Sequence, residues 1–174
     1  KKNPFKELNR LSSSFSLANT GSGFERFFPD TLVNNGTQNN VGIEFTLEKY
    51  FANNYYFLTT LSLFDSKYTG SDGVIRNTDF NGRYAVNALF AREFNLSKKS
   101  MISLGAKVTM VGGKWYGLPD IAASNQAKEL IVIDSLRNTE QFPDYFRADL
   151  KLNYRLNAKK TTHEIGIDLV NLLN

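Results

Sequence analysis

The residues that could do chemistry in this 174-residue chain are charged side chains at every second position of strand-length segments. In one segment, Arg147, Asp149 and Lys151 alternate with apolar residues. Side chains of a strand point alternately to its two faces, so such a segment has one charged and one apolar face. A charged face this complete cannot form a packed core, and we expect it to face water. The predicted lumen-facing residues are Glu44, Glu48, Lys107, Arg147, Asp149, Lys151, Glu164 and Asp168.

These charges suit solvation and ion pairing better than catalysis. Opposite signs on adjacent strands can pair across a sheet, for example Arg147 or Lys151 with Asp168 or Glu164. We expect the charges mainly to solvate a wall and to specify strand register. The alternative is contact with a bound solute or with an internal domain.

Two aromatic side chains are the candidates for ligand contact. Trp115 and Tyr116 lie in a long polar stretch with Lys114 and Asp120 nearby. Their rings could stack on a flat or sugar-like ligand. Anchoring at a membrane interface or packing within the loop explains them equally well.

Other chemistry finds little support in the sequence. Asp65, Asp72 and Asp79 lie close together, but they lack the alternating ligands and closing Glu of an EF-hand loop. His163 is the one histidine, and there is no cysteine to bind a metal. No nucleophile elbow or phosphate-binding glycine loop occurs. We therefore predict no enzyme activity, no metal and no cofactor, and a net charge of +4 is too small to indicate nucleic acid.

The elements that must position these residues are six predicted strands, at 40–51, 55–66, 83–96, 100–111, 144–156 and 161–172. Short turns alternate with long polar loops, which is typical of an outer-membrane barrel wall. We predict an all-β, antiparallel up-and-down meander that forms a partial transmembrane β-barrel of about six or seven strands, with long loops on one side. The predicted lipid-facing residues are Val41, Ile43, Phe45, Leu47, Leu104, Val108, Phe146, Leu150, Leu152, Ile165, Ile167 and Leu169.

We expect one domain over residues 1–174. Residues 40–174 form the six-strand meander, and residues 1–39 contribute a weakly alternating strand near 12–19 and a long loop over 21–39. The loop over 112–143 is predicted to be irregular except for a short helix within 120–130, for which Asp120 is an acceptable N-cap.

A long collinear run resembles the C-terminal barrel region of TonB-dependent outer-membrane receptors of the Bacteroidetes type. The residues that carry this resemblance are NVGIEFTLEKYF at 40–51, YYFL at 55–58, LFDSKYTGSDG at 63–73, RNT at 76–78, DYFRADL at 144–150, YR at 154–155 and THEI at 162–165, continuing through 171–172.

The resemblance implies energy-coupled uptake of a small solute in the outer membrane. Such receptors have a barrel of roughly 22 strands that encloses an N-terminal plug, and a short periplasmic segment engages TonB. The resemblance also implies outer-membrane lipid and a surface lipoprotein as partners. No plug region is recognisable in this sequence, and the family normally continues beyond the last residues into a further strand. We therefore expect a segment of a receptor barrel, with TonB acting through a plug region that this chain does not contain.

Alternation alone leaves two alternatives open. A soluble lipocalin-like β-barrel would turn the apolar face inward around an apolar ligand and the charged face outward to water. A passive porin or an adhesin would have the same wall and no plug.

Overall fold

A computed structural model describes residues 14–16 and 34–173. The strand predicted near 12–19 and the loop predicted over 21–39 lie largely outside the described residues. Ser14 to Ser16 have no regular secondary structure, and the first described strand begins at Thr37.

An antiparallel meander sheet makes up most of the structure, and it confirms the predicted all-β class. The path of neighbouring strands is β1-β2-β4-β5-β8-β9, β3 pairs with β2, and the sheet does not close into a barrel. The strands are β1 (Thr37–Ala52), β2 (Tyr55–Thr69), β3 (Ile75–Asn77), β4 (Tyr84–Asn95), β5 (Ser100–Val111), β8 (Tyr145–Asn157) and β9 (Thr162–Leu169), while β6 (Trp115–Tyr116) and β7 (Glu140–Gln141) form a second small sheet.

The tightest turn shows why the chain reverses where it does. Asn53 and Asn54 separate β1 from β2, and both have positive φ angles, 55° and 64°. Two-residue hairpin turns of this kind need positive φ at both central positions, and asparagine tolerates that conformation better than most residues. The sequence Asn-Asn therefore ends one strand and starts the next.

The two long connections contain more regular structure than the sequence indicated. Strand β2 continues to Thr69 and pairs with β3, in a region that we expected to be a polar loop. The second connection contains β6, β7 and a helix, α1 (Ile121–Ala127). The predicted N-cap is present, because the Asp120 carboxylate accepts a hydrogen bond of 2.9 Å from the amide of Ala123.

The chain divides into two compact units. The sheet unit comprises residues 43–63, 84–112 and 144–174, and the loop unit comprises residues 1–42, 64–83 and 113–143. Among the described residues Tyr68, in the loop unit, is the one buried hydrophobic residue. The described part of the sheet unit therefore has no buried apolar core of its own.

Candidate functional site

The pairing register of the sheet unit brings most of the predicted lumen residues onto one face. Lys107 lies directly opposite Asp149, and Lys151 lies directly opposite Asp168. Glu164 belongs to the same face, four positions before Asp168 on β9. Directly opposed residues share a face of the sheet, as do every second residues along one strand. The result is a continuous polar face across β5, β8 and β9.

Ion pairs cross this polar face between β8 and β9. Lys151 Nζ lies 3.3 Å from Asp168 Oδ1, which is one of the pairings expected from the sequence. Glu164 accepts from Arg155, with 3.3 Å between Nη2 and Oε2. Arg147 does not form the cross-strand pair that was considered for it. Its Nε donates to Asp149 Oδ1 at 2.8 Å, two residues further along its own strand, because that carboxylate lies beside it on the same face.

The predicted lipid-facing residues of β5, β8 and β9 fall on the other face of the sheet unit. Leu104 pairs with Leu152, which pairs with Ile167, and Leu150 pairs with Leu169. The same face continues through the remaining predicted members of these strands, which are Val108, Phe146 and Ile165. Two faces of opposite character thus lie back to back on one layer.

This apolar face is exposed to a degree that a soluble core would not allow. Ile165 is 69% exposed and Leu150 is 46% exposed, although Leu150 lies near the middle of its strand. Fully burying such a side chain is worth about 1.5–3 kcal/mol, and half exposure forgoes about half of that. The other described residues therefore do not supply the cover that this face needs.

Strand β1 repeats the alternation. Val41, Ile43, Phe45 and Leu47 occupy one set of alternate positions, and all four are exposed. Glu44 and Glu48 occupy the other set, so the two predicted groups lie on opposite faces of β1.

In the loop unit, Trp115 and Tyr116 have different surroundings. The Trp115 indole nitrogen donates to the carbonyl of Asn81 at 2.8 Å, and Arg83 lies over its ring at 5.6 Å. The Tyr116 ring instead packs on Phe142, with ring centres 4.3 Å apart. The two aromatic residues therefore do not form one stacking platform, because neighbouring residues of the short strand β6 point to opposite sides.

Trp115 lines a cavity of about 340 Å³ in the loop unit, and Tyr116 does not. The hairpin of β2 and β3 contributes Lys67, Arg76 and Asn77 to its wall. The segment after α1 contributes Arg137 and Asn138. Pockets that bind small molecules have volumes of about 300–1,000 Å³, so this one is at the small end of that range.

Gly117 allows the two sides of the loop unit to approach closely. A Cβ added there would lie 2.9 Å from the Cα of Arg137, which is closer than side chains come to backbone atoms. Any larger residue would push the Arg137 segment away. The glycine therefore helps to set the position of the cavity wall.

The interior of the loop unit is polar and well hydrogen-bonded. Asn81 is fully buried, donates to Asp65 and Asn77, and accepts from the amide of Ser66 at 2.9 Å. Asn138 donates to the carbonyl of Asn77 at 2.7 Å. Buried amide groups that satisfy their hydrogen bonds in this way hold irregular loops in one arrangement without an apolar core.

Asp72 and Arg76 form the most buried ion pair among the described residues of the loop unit. Arg76 Nη2 lies 2.7 Å from Asp72 Oδ2, and Nη1 donates to Asp72 Oδ1 at 3.0 Å. Burial raises the pKa of the Asp72 carboxyl, but the hydrogen bonds from Arg76 and from the Val74 amide outweigh burial and leave that pKa below its usual value. Arg76 is thus held by the Asp72 carboxylate, and its Nη1 also donates to the carbonyl of Val74 at 3.3 Å.

The sequence patterns did not identify several residues of this site. Arg137 and Arg76 carry no motif, and Ser14 reaches Arg137 from 123 positions away, with its hydroxyl accepting from Nε at 2.6 Å. Long-range contacts of this kind leave no periodic signal. The acidic loop around Asp72, considered for calcium, is neutralised by Arg76 and Lys67, and the described residues contain no cluster of three metal-binding side chains.

No helix in the described part of the chain has the length and apolar character needed to cross a membrane. Comparison with known proteins found no matching family model, no matching curated protein and no matching solved structure.

Proposed function

We propose that this chain is a barrel-wall segment of a TonB-dependent outer-membrane receptor that takes up a small solute in an energy-coupled manner. The observation that carries this proposal is a single-layered sheet with a charged face on one side and an exposed apolar face on the other. The resemblance to such receptors, carried by the runs within 40–78 and 144–172 that are given above, supports the same conclusion.

The apolar face favours lipid over water as its surroundings. In a soluble protein a patch formed by Leu104, Leu150, Leu152 and Ile167 would promote aggregation unless another surface covered it. In a bilayer the same side chains contact hydrocarbon at no cost. The backbone of such a wall satisfies its hydrogen bonds between strands, as the bilayer interior requires.

The polar face suits the aqueous interior of a barrel. The pairs Lys151–Asp168 and Arg155–Glu164 lie in the open and are about half exposed. Exposed pairs of this kind contribute little to stability, but they keep a channel wall hydrated. We infer that this face borders the path of the solute.

On this proposal, the connections divide into two classes with different tasks. Asn53-Asn54, residues 96–99 and residues 158–161 are short turns, and the two long connections carry the loop unit. In an antiparallel meander alternate connections share one end of the sheet. The long ones would lie outside the cell and capture the solute, while TonB acts through a plug region outside this chain.

Spin labels test the assignment of the two faces. The chain has no cysteine, so single cysteines at Leu150, Lys151, Leu152 and Asn153 can be labelled without a background. In lipid vesicles we expect labels at 150 and 152 to collide with oxygen, which partitions into lipid. Labels at 151 and 153 should collide with a water-soluble nickel complex. Water-soluble quenching at all four positions would contradict the proposal.

The same labels distinguish the outer-membrane wall from a soluble lipocalin-like barrel. A soluble barrel would shield positions 150 and 152 from the water-soluble complex without any lipid present. It would also leave positions 151 and 153 exposed in buffer. The alternation would then survive while the need for a membrane disappears.

Solute uptake in cells tests the energy coupling. Cells that depend on the receptor should stop accumulating solute when TonB is deleted, although the receptor remains in the outer membrane. Undiminished uptake without TonB would indicate a passive porin with the same wall.

A further inference from the structure

The loop-unit cavity has an unusual charge composition. Among the described residues that line it, Lys67, Arg76 and Arg137 are cationic and none is acidic. The carboxylates that pair with these cations, Asp65, Asp72 and Asp134, are not part of the lining. The cavity therefore presents positive groups to whatever enters it.

Two nitrogens of Arg137 have no partner among the described residues. Its Nε donates to Ser14 and lies 3.9 Å from Asp134 Oδ1. Its two terminal nitrogens make no hydrogen bond or ion pair with a described residue. A guanidinium held by Nε with both Nη atoms available is the arrangement that binds a carboxylate or phosphate through two parallel hydrogen bonds.

The neighbours of Arg137 are already fixed in place. Ser14 is fully buried, and both its amide and its hydroxyl donate to the Asp134 carboxylate, the amide at 2.9 Å. Trp115 is anchored through its indole nitrogen to Asn81. A site whose side chains are fixed before binding loses less conformational entropy when a ligand arrives.

A buried hydroxyl without a partner lies in the same region. Tyr68 is 1% exposed, and its hydroxyl has no hydrogen-bond partner among the described residues. Tyr68 lies directly opposite Arg76 where β2 pairs with β3. Buried polar groups without partners are rare, and this one lies opposite Arg76, one of the residues that line the cavity.

We propose that this cavity binds a small anionic molecule of about monosaccharide size, with the Nη atoms of Arg137 receiving its carboxylate, phosphate or sulfate group. Trp115 supplies the aromatic part of the wall against the body of the ligand, and Lys67 adds a second positive charge. This inference names the class of solute that the proposed receptor would take up. The role of the bound molecule as a transported solute rests on the proposed function, whereas the binding itself is tested separately.

Trp115 provides a direct assay, because it is the single tryptophan in the sequence and lines the cavity. D-glucuronate and D-glucose have the same ring and differ in one carboxylate. Titration with D-glucuronate should change the tryptophan emission in a saturable way that weakens as sodium chloride is raised. D-glucose should produce no saturable change. An equal response to both sugars, or no response to D-glucuronate, would overturn the inference.

Variants assign the binding to this site. Arg137→Gln should weaken D-glucuronate binding by about tenfold or more, because a charge-assisted pair of hydrogen bonds is lost. Lys98→Gln, which removes one positive charge from the exposed turn between β4 and β5, should leave binding unchanged. Arg137→Lys keeps the charge without the planar fork and should fall between the two. Equal affinity in Arg137→Gln and the parent chain would exclude Arg137 as the anion ligand.

Arg137 also holds Ser14, so Arg137→Gln could weaken binding by disturbing the fold. A second variant distinguishes loss of binding from loss of folding. Lys67 forms an exposed pair with Asp65, so Lys67→Gln should leave the thermal transition unchanged and still weaken binding severalfold. Unchanged affinity in this variant would refute the cationic cavity independently. Failure of the titration leaves the spin-label pattern of the membrane test intact, and loss of that pattern leaves the titration intact, so the two proposals fail separately.

Discussion

Replacing Leu150 with arginine separates a sheet face in lipid from the same face in water. Leu150 lies near the middle of β8, is 46% exposed, and pairs with Ala106 and Leu169. In water the change removes roughly half of a leucine's buried surface, about 1 kcal/mol, and the aliphatic stem of arginine recovers part of that. At the midplane of a bilayer, arginine on the lipid side of a barrel costs about 2–4 kcal/mol.

The free energy of folding into phospholipid vesicles, measured by denaturant titration with Trp115 emission as the signal, resolves this difference. Ser103→Arg is the matched control. Ser103 is the fourth residue of β5, and its cross-strand neighbours Glu93 and Asn153 belong to the polar face. Introducing the same side chain there should change stability by less than about 0.5 kcal/mol, as polar-surface substitutions usually do.

Two results would refute the assignment of the faces. The first is a loss below about 1 kcal/mol for Leu150→Arg in vesicles, which is the value expected for a water-exposed sheet. The second is an equal loss in Leu150→Arg and Ser103→Arg. An equal loss would mean that both faces have the same surroundings, whatever those are.

Acid, helix capping and a cross-strand charge pair each provide a further test. Folding lowers the pKa of the Asp72 carboxyl, because the charged carboxylate pairs with Arg76. This ion pair therefore stabilises the loop unit fully at pH values above the ordinary aspartate pKa of about 3.9. The stabilisation is lost as the pH falls through the lower pKa that Asp72 has in the folded protein. The thermal transition reported by tryptophan emission should therefore drop in that acid range, and Asp72→Asn should abolish that part of the drop. Asp120→Ala should destabilise α1 by about 0.5–2 kcal/mol, because the N-cap hydrogen bond is lost. Amide hydrogen exchange in the first turn of the helix should then be faster. Unchanged exchange would mean that Asp120 does not cap the helix. A double-mutant cycle on Lys151 and Asp168 should give a coupling below about 1 kcal/mol that shrinks with salt, and a larger, salt-independent value would mean that the pair is not solvated.

Strand positions were predictable because they depend on local patterns. The alternation around Arg147, Asp149 and Lys151 specifies two faces, and the structure places β8 at Tyr145–Asn157, within a residue of the predicted limits. The Asn53-Asn54 turn and the Asp120 cap are likewise set by neighbouring residues. Once consecutive strands pair with a short turn, register follows, and the pair Lys151–Asp168 could be expected from the sequence.

The loop unit was much less predictable, because its structure depends on contacts between distant residues. Asn138 is positioned by Asn77 and Asp79, about 60 positions earlier. Arg137 is positioned by Ser14, at a still greater distance. Polar residues in such segments look alike in the sequence whether they are solvated or buried. Neither the burial of Tyr68 nor the cationic cavity could therefore be inferred from pattern.

The two units also differ in what stabilises them, and this difference bears on the proposed function. The loop unit has an interior of satisfied polar groups such as Asn81 and the Asp72–Arg76 pair, which can persist in water. The sheet unit has regular backbone pairing but no buried apolar side chain among its described residues. On the proposed function, lipid covers the apolar face of this sheet while its polar face stays hydrated.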